Sequence, residues 1–255
     1  MTFDLSKIKP TRSDMPPRTV IYGPHKIGKS TFASQAPAPI FLQTEDGLGA
    51  IDTSAFPLCQ SWGALLECVT SLYQEDHKYK TVVLDSADWA EKLAHQQVCE
   101  TEKVKSLEKI GYGKGYAFAA DLFAELLSGF DALRKKGMGV VVLAHAEIKR
   151  FDDPLADAYD RYQIKLHKTV SKTIQEWADV ISFAQLATIT KTEAVGFDGK
   201  RTRAISTGQR VLNLVGSASF DAGNRYGMPD TISLDWPAYE AALTESRKQP
   251  TKQDK

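Results

Sequence analysis

The sequence predicts an α/β fold: a mostly parallel sheet flanked by helices, with a C-terminal antiparallel extension. Three observations predict it. Short β-branched and apolar runs alternate with stretches whose apolar residues recur at helical spacing, the pattern of right-handed βαβ units. Several runs, such as Val140 to Ala144, are apolar throughout, as strands covered on both faces are. Beyond residue 186 the alternation stops, and Asp198-Gly199 marks a hairpin turn between 186–195 and 201–206.

The elements follow in order. Residues 1–15 are mixed and polar and read as an N-terminal arm, ended by Pro16-Pro17. Arg18 to Tyr22 is a β-branched strand; a glycine loop follows, then a helix from Lys29 to about Ala36, stopped by Pro37 and Pro39. Ile40 to Gln43 is a second strand. Ser61 caps a helix to about Glu75, in which Trp62, Leu65, Leu66, Val69 and Leu72 share a face. Thr81 to Asp85 is a buried strand ending in an acid, followed by a helix from about Asp88 to Val104. Gly111-Tyr112-Gly113-Lys114-Gly115 interrupts regular structure. Phe118, Leu122, Phe123, Leu126, Phe130 and Leu133 mark the next helix, and Gly139 to Ala144 the next strand. Residues 147–166 are charged and read as irregular. A helix from about Lys168 to Ala178 leads to the strand Val180 to Gln185, and 186–215 form the antiparallel extension. One domain therefore spans 16–240, and the polar residues 244–255 read as a disordered tail.

Composition narrows the function. Lys+Arg and Asp+Glu are 32 each, so the formal net charge is zero and no general attraction to nucleic acid or membrane exists; basic residues must be gathered locally to bind either. Three cysteines without a CxxC pair fit a reducing compartment. No apolar run approaches a membrane span and the N-terminus lacks a signal-peptide core, so the expected location is the cytoplasm, with no membrane partner.

Gly23-Pro24-His25-Lys26-Ile27-Gly28-Lys29-Ser30 matches GxxxxGK[ST] between a strand and a helix, the context that makes the match a P-loop. Its glycines turn backbone N–H groups toward a phosphate, and the helix aims its positive end at the same anion. Residues Gly23 to Thr31 are thus the nucleotide-binding set, for ATP or a related triphosphate with Mg2+. Lys29 reaches the β- and γ-phosphates from a position facing ligand and solvent, and Ser30 ligates Mg2+. His25 and Lys26 read as exposed loop residues.

Acids complete the set. Asp85, ending a buried strand, suits Mg2+ and its water; the alternative is an Asp capping the next helix. The next residue is Ser86, whereas many ATPases carry a glutamate there as general base. Glu45, just past the strand Ile40 to Gln43, is the candidate to position the attacking water; it also reads as a plain loop acid in Thr44-Glu45-Asp46-Gly47. His145 ends the strand Val140 to Ala144, as a γ-phosphate sensor or as a satisfied structural histidine.

The order of these parts resembles the RecA core, and more closely the phage-type RecA-like ATPases of the Sak class, linked to single-strand annealing and recombination. Val142-Leu143-Ala144-His145, Trp177-Ala178-Asp179-Val180-Ile181 and Asn224-Arg225-Tyr226-Gly227-Met228-Pro229 are similar to that group, and the likeness covers roughly 16–240. The resemblance implies an ATPase whose hydrolysis is stimulated by DNA, with Glu45 as catalytic carboxylate and His145 at the sensor position, where RecA has glutamine. It implies DNA-facing loops at about 103–115 and 147–166, a homo-oligomer as ring or filament, a single-strand binding protein as candidate partner, and the host cytoplasm if the chain is phage-encoded.

Basic residues interleave with aromatics in those segments, a composition suited to single strands. Lys103, Lys105, Lys109 and Lys114 surround Tyr112 and Tyr116; Lys149, Arg150, Arg161, Lys165, His167, Lys168 and Lys172 accompany Phe151, Tyr159 and Tyr162. Asp152, Asp153, Asp157 and Asp160 dilute the second group, and solvated loops are the alternative for both. Lys114, Lys149, Arg150, Arg161 and Lys165 are the candidate DNA contacts. Arg201, Arg203, Arg210 and Arg225 read as surface arginines, one of which could serve a neighbouring subunit as an arginine finger. Two other readings stand beside a DNA-acting ATPase: a P-loop kinase or NTPase acting on a small molecule, and a nucleotide-switched assembly module without turnover.

Overall fold

Strand β1 (Arg18–Gly23) lies inside a mixed ten-stranded sheet in the computed structural model of the protein. The structure describes residues 14–154, 157–195 and 199–248, and within 189–206 the backbone alone. Most of the expected arm, and Asp198 of the expected hairpin turn, lie outside the described residues.

The remaining elements are α1 (Lys29–Ser34), β2 (Pro39–Gln43), β3 (Ser54–Ala55), α2 (Trp62–Gln74), β4 (Thr81–Asp85), α3 (Ala87–Thr101), α4 (Lys114–Lys135), β5 (Gly139–Phe151), β6 (Tyr159–Ile164), α5 (Lys168–Trp177), β7 (Val180–Val195), β8 (Gly199–Asn213), β9 (Gly223–Asn224), β10 (Thr231–Ser233) and α6 (Trp236–Lys248). The sheet order is β10-β8-β7-β1-β5-β4-β2-β3, with β6 on β5 and β9 on β7. Strands from β7 to β3 along that path are parallel; β8 and β10 extend the sheet antiparallel. The expected mixed α/β architecture is therefore what the chain adopts.

The apolar strands divide their side chains between two cores, as the two-residue period requires. Val82, Leu84, Val140 and Val142 face α2, α3, α4 and α5; Val83, Val141 and Leu143 face the side covered by Phe32 of α1 and Tyr239 of α6. Helix α6 was not legible as a separate element, and it corrects the tail: residues 244–248 are helical. Asp235 accepts the Ala238 N–H at its start, and the buried Tyr239 hydroxyl lies 2.7 Å from Thr19 Oγ1.

The second correction concerns 147–166. β5 does not stop near Ala144 but runs through His145 to Phe151 and pairs antiparallel with β6, from Ala146↔Ile164 to Phe151↔Tyr159. Its outer half escaped notice because Ile148, Lys149 and Arg150 are all exposed, so no apolar face marks the strand.

The segments around Asp179 and Arg225 meet in space. Asp179, just before β7, accepts from the Arg18 main-chain N–H (3.0 Å), from Arg18 Nε (3.0 Å) and Nη2 (2.8 Å), and from Arg225 Nη1 (3.2 Å). Arg134 at the end of α4 lies 3.4 Å away. Burial alone would raise the Asp179 pKa, but the Arg18 bonds and the positive charge around it outweigh that and hold it below the usual carboxylate range. A depressed folded-state pKa stabilises the fold above the unfolded value of about 3.9 and is lost as pH falls through the folded value. Asp179→Asn should therefore cost about 1–3 kcal/mol near neutral pH, less than breaking a fully buried pair because the arginines reach solvent. Denaturant titrations should show that deficit shrinking at acid pH; a deficit independent of pH would contradict the assignment.

Candidate nucleotide site

β1 ends at Gly23, and the loop that follows needs two of its glycines. A Cβ on Gly23 would stand 2.4 Å from the Ala184 carbonyl oxygen of β7. Gly28 has φ 109°, where a side chain is strained. α1 is only six residues long, so its dipole is small and the loop's own N–H groups carry the anion-binding capacity.

Lys29 opens α1. Its side chain turns back into the loop, Nζ donating to the carbonyl oxygens of Gly23 (3.1 Å) and Pro24 (3.0 Å). It is buried rather than facing solvent, contrary to the sequence expectation. That burial lowers its pKa, with Asp85, Asp88 and Glu45 opposing. Ser30 Oγ donates to Asp85 Oδ2 at 2.6 Å. Asp85 thus faces the loop and not the following helix, whose first flanking residue is Ser86. Burial raises the Asp85 pKa and the Ser30 bond opposes it. Two hard oxygen donors side by side fit a Mg2+ that takes its other ligands from phosphates and water.

Glu45 is placed by a lock between neighbouring strand ends. Gln43 pairs with Asp85 across β2 and β4. Thr44 Oγ1 donates to Ser86 O (2.7 Å) and accepts the Ser86 N–H (2.8 Å). The N–H groups of Thr44 and Glu45 both point at Asp85 O, and Ser86 Oγ donates to Glu45 Oε2 at 3.3 Å. Ser86, where many ATPases carry a glutamate, here holds Glu45 by a hydrogen bond.

His145 pairs with Gly23 across β5 and β1, which sets its ring over the loop. Its main-chain N–H donates to Asp88 Oδ1 (3.0 Å), and Nδ1 lies 3.1 and 3.0 Å from the two Asp88 oxygens. Burial would raise the Asp88 pKa, but the bonds and charge of His145 hold it below normal. An ionised carboxylate only accepts, so Nδ1 carries a proton toward Asp88. The ring stacks on His25 at 4.0 Å between centroids, and Nδ1 is 3.9 Å from Glu45 Oε2. His25, read as a plain loop residue, therefore touches the sensor candidate; proximity to His145 and burial lower its pKa.

These groups line one open cavity of about 510 Å3, within the size range of small-molecule sites. Lys29, Ser30, Thr31, Asp85, Glu45 and His145 all border it. Two supporting residues were missed. Asp88 and Glu91 lie three apart on α3 and are buried although charged; Glu91 accepts the His167 N–H at 2.9 and 3.1 Å, and burial pushes its pKa up to about 7 despite that bond. Their signal was an acidic pair at i,i+3 on an otherwise inward face. Arg210 on β8, read from the sequence as a surface arginine, also borders the cavity.

The DNA candidates scatter more. Lys149 and Arg150 are exposed on β5, Lys165 is exposed beyond β6, and Lys114 starts α4 beside the fully exposed Tyr112. Lys165 donates its main-chain N–H to His145 O at 2.8 Å. Arg161 is a correction: its guanidinium pairs with Asp221 and lies 4.7 Å over the Phe151 ring, so it is committed to the fold. The side chains of Arg201 and Arg203 lie outside the described residues. Among the described residues no helix is long and apolar enough to cross a membrane.

A phosphate loop on a parallel sheet, with an acid at the end of β4 and polar groups at neighbouring strand ends, defines a P-loop NTPase of the ATPase type. The chain belongs to the AAA-domain family, whose model matches residues 15–226. It is also similar to the SPbeta prophage-derived uncharacterized protein YorG of Bacillus subtilis (strain 168), with 27% identity over 132 residues. That match covers 49% of this chain and 40% of the relative, so the chain spans well under two thirds of that protein's length.

Proposed function

We propose that the protein binds ATP with Mg2+, hydrolyses it, and couples its nucleotide state to single-stranded DNA in recombination or annealing. The observation that carries the reading is the convergence of Glu45, Asp85 and His145 with Lys29 and Ser30 around one cavity. Lys29 and the loop N–H groups hold the phosphates, Ser30 and Asp85 would hold Mg2+, and Glu45 takes the proton of the attacking water. Mg2+ would neutralise phosphate charge there.

The DNA half rests on β5 and on the resemblance to the Sak class. The strand that carries His145 continues without a break to Lys149 and Arg150. Lys149, Lys168 and Lys172 border an open groove between the β5–β6 hairpin and α5. Nucleotide would act by shifting a formed hairpin, not by ordering a loop. Its γ-phosphate meets His145, and the shift moves cations toward or away from a strand.

Turnover measured with and without single-stranded DNA tests the whole reading; stimulation supports it, and equal rates would point to a small-molecule substrate. Fluorescence anisotropy with a labelled oligonucleotide should show tighter binding with a non-hydrolysable ATP analogue than with ADP. The affinity should fall with salt by a slope of about 0.7 per phosphate neutralised. Lys149→Ala with Arg150→Ala should lower affinity and slope together. His145→Ala should keep weak binding and erase the nucleotide difference. Linkage requires DNA to tighten ATP binding by the same factor. Identical DNA affinity in both nucleotide states would refute the coupling.

A further inference from the structure

Arg210 stands on the far flank of the phosphate loop from the other charged residues. It lies in β8, opposite Leu186 of β7, where the register shifts between Leu186 and Thr188. A bulge of this kind re-aims a side chain. Here Arg210 is aimed at the loop: its Nη1 is 3.0 Å from the point where a Cβ on Gly28 would sit. Gly28 is thus needed twice, for its left-handed φ and to leave room for this guanidinium. Arg210 borders the same cavity as Lys29, Ser30 and Thr31. Among the described residues no carboxylate pairs with it, whereas Arg18, Arg134, Arg161 and Arg225 all meet one. An exposed arginine without a partner, turned into a phosphate cavity, has the fork geometry that grips phosphate oxygens.

The sheet order says which phosphates. β5, β4 and β2 lie on one side of β1 and bring His145, Asp85 and Glu45 to the end where the attacking water must sit. β7 and β8 lie on the other side. We propose that Arg210 binds nucleotide within its own subunit, gripping the α- and β-phosphates that ATP and ADP share. This rests on the reading of the cavity as a nucleoside triphosphate site. Arg210 is then a binding group felt equally by substrate and product, distinct from an arginine finger that meets the γ-phosphate of a neighbouring subunit.

The test compares wild type, Arg210→Ala and Arg210→Lys by titration with fluorescent ATP and ADP analogues, and by turnover. Arg210→Ala should weaken both nucleotides by a similar factor, about ten- to a hundredfold, the scale of charge-assisted hydrogen bonds. KM should rise by the same factor with kcat at saturation little changed, and Arg210→Lys should recover only part of the affinity, because an ammonium lacks the fork. Equal mixtures of Arg210→Ala and Lys29→Ala should show no recovery of turnover at low ATP, since neither subunit then holds a complete site. Recovery in the mixture would place the arginine in a neighbour's site and overturn the proposal. So would a fall in kcat at unchanged KM, or unchanged affinity for both nucleotides in Arg210→Ala. A wild-type protein that binds neither analogue would instead overturn the reading of the cavity itself, and the proposal with it.

Discussion

Lys29→Ala is expected to abolish turnover, by at least the hundred- to thousandfold that losing one preorganised donor costs. The amine is the loop cation expected between the β- and γ-phosphates, and its target is the charge that develops in transfer. The structure adds a stability effect to this. Nζ satisfies the carbonyl oxygens of Gly23 and Pro24, and the side chain is buried. Truncation leaves both carbonyls short of a donor, at about 1–2 kcal/mol. A protein of this size should then melt roughly 2–8 °C lower while remaining folded. Steady-state turnover and a thermal melt on the same preparation separate the two effects. Normal hydrolysis by the folded variant would remove the phosphate-binding role of the loop lysine.

Glu45→Gln should bind ATP with near wild-type affinity and hydrolyse it about a hundredfold more slowly or worse, the scale of general-base removal. The substitution is close to isosteric here. The Gln side-chain oxygen can still accept from Ser86 Oγ, and the Thr44–Ser86 lock uses main-chain and threonine atoms alone. Binding and chemistry should therefore part cleanly, which single-turnover measurements with prebound ATP would read. If Gln at position 45 turns over normally, another carboxylate does the work, and Asp46, exposed at the same cavity, is the next to replace.

What the sequence made legible was local. The loop Gly23 to Ser30 announces itself because its chemistry fixes both residue type and spacing within eight positions. Asp85 was found because an apolar strand that ends in an acid is unusual enough to notice. Which strands neighbour β1 could not be read: β5 lies between β1 and β4 although two helices and some fifty residues separate β4 from β5 in the chain. That insertion, a property of the packed sheet, puts His145 beside Gly23. Arg210 was seen as one strand arginine among several, since its aim depends on a bulge. Asp88 and Glu91 were passed over because a buried carboxylate on a helix becomes intelligible only with its partner, and the partners come from the middle of β5 and the start of α5, more than fifty residues away.

The β5–β6 hairpin stands on α3 at both feet. Asp88 holds His145, where β5 leaves the sheet, and Glu91 holds His167, just after β6 returns. α3 itself starts two residues after Asp85. On the proposed function, acid, helix and hairpin would move together as one lever about the nucleotide site. Six residues of β5 project beyond His145, a reach of about 20 Å at the usual rise per strand residue. A tilt of about 5° at the base would carry the tip nearly 2 Å, which is enough to make or break a phosphate contact.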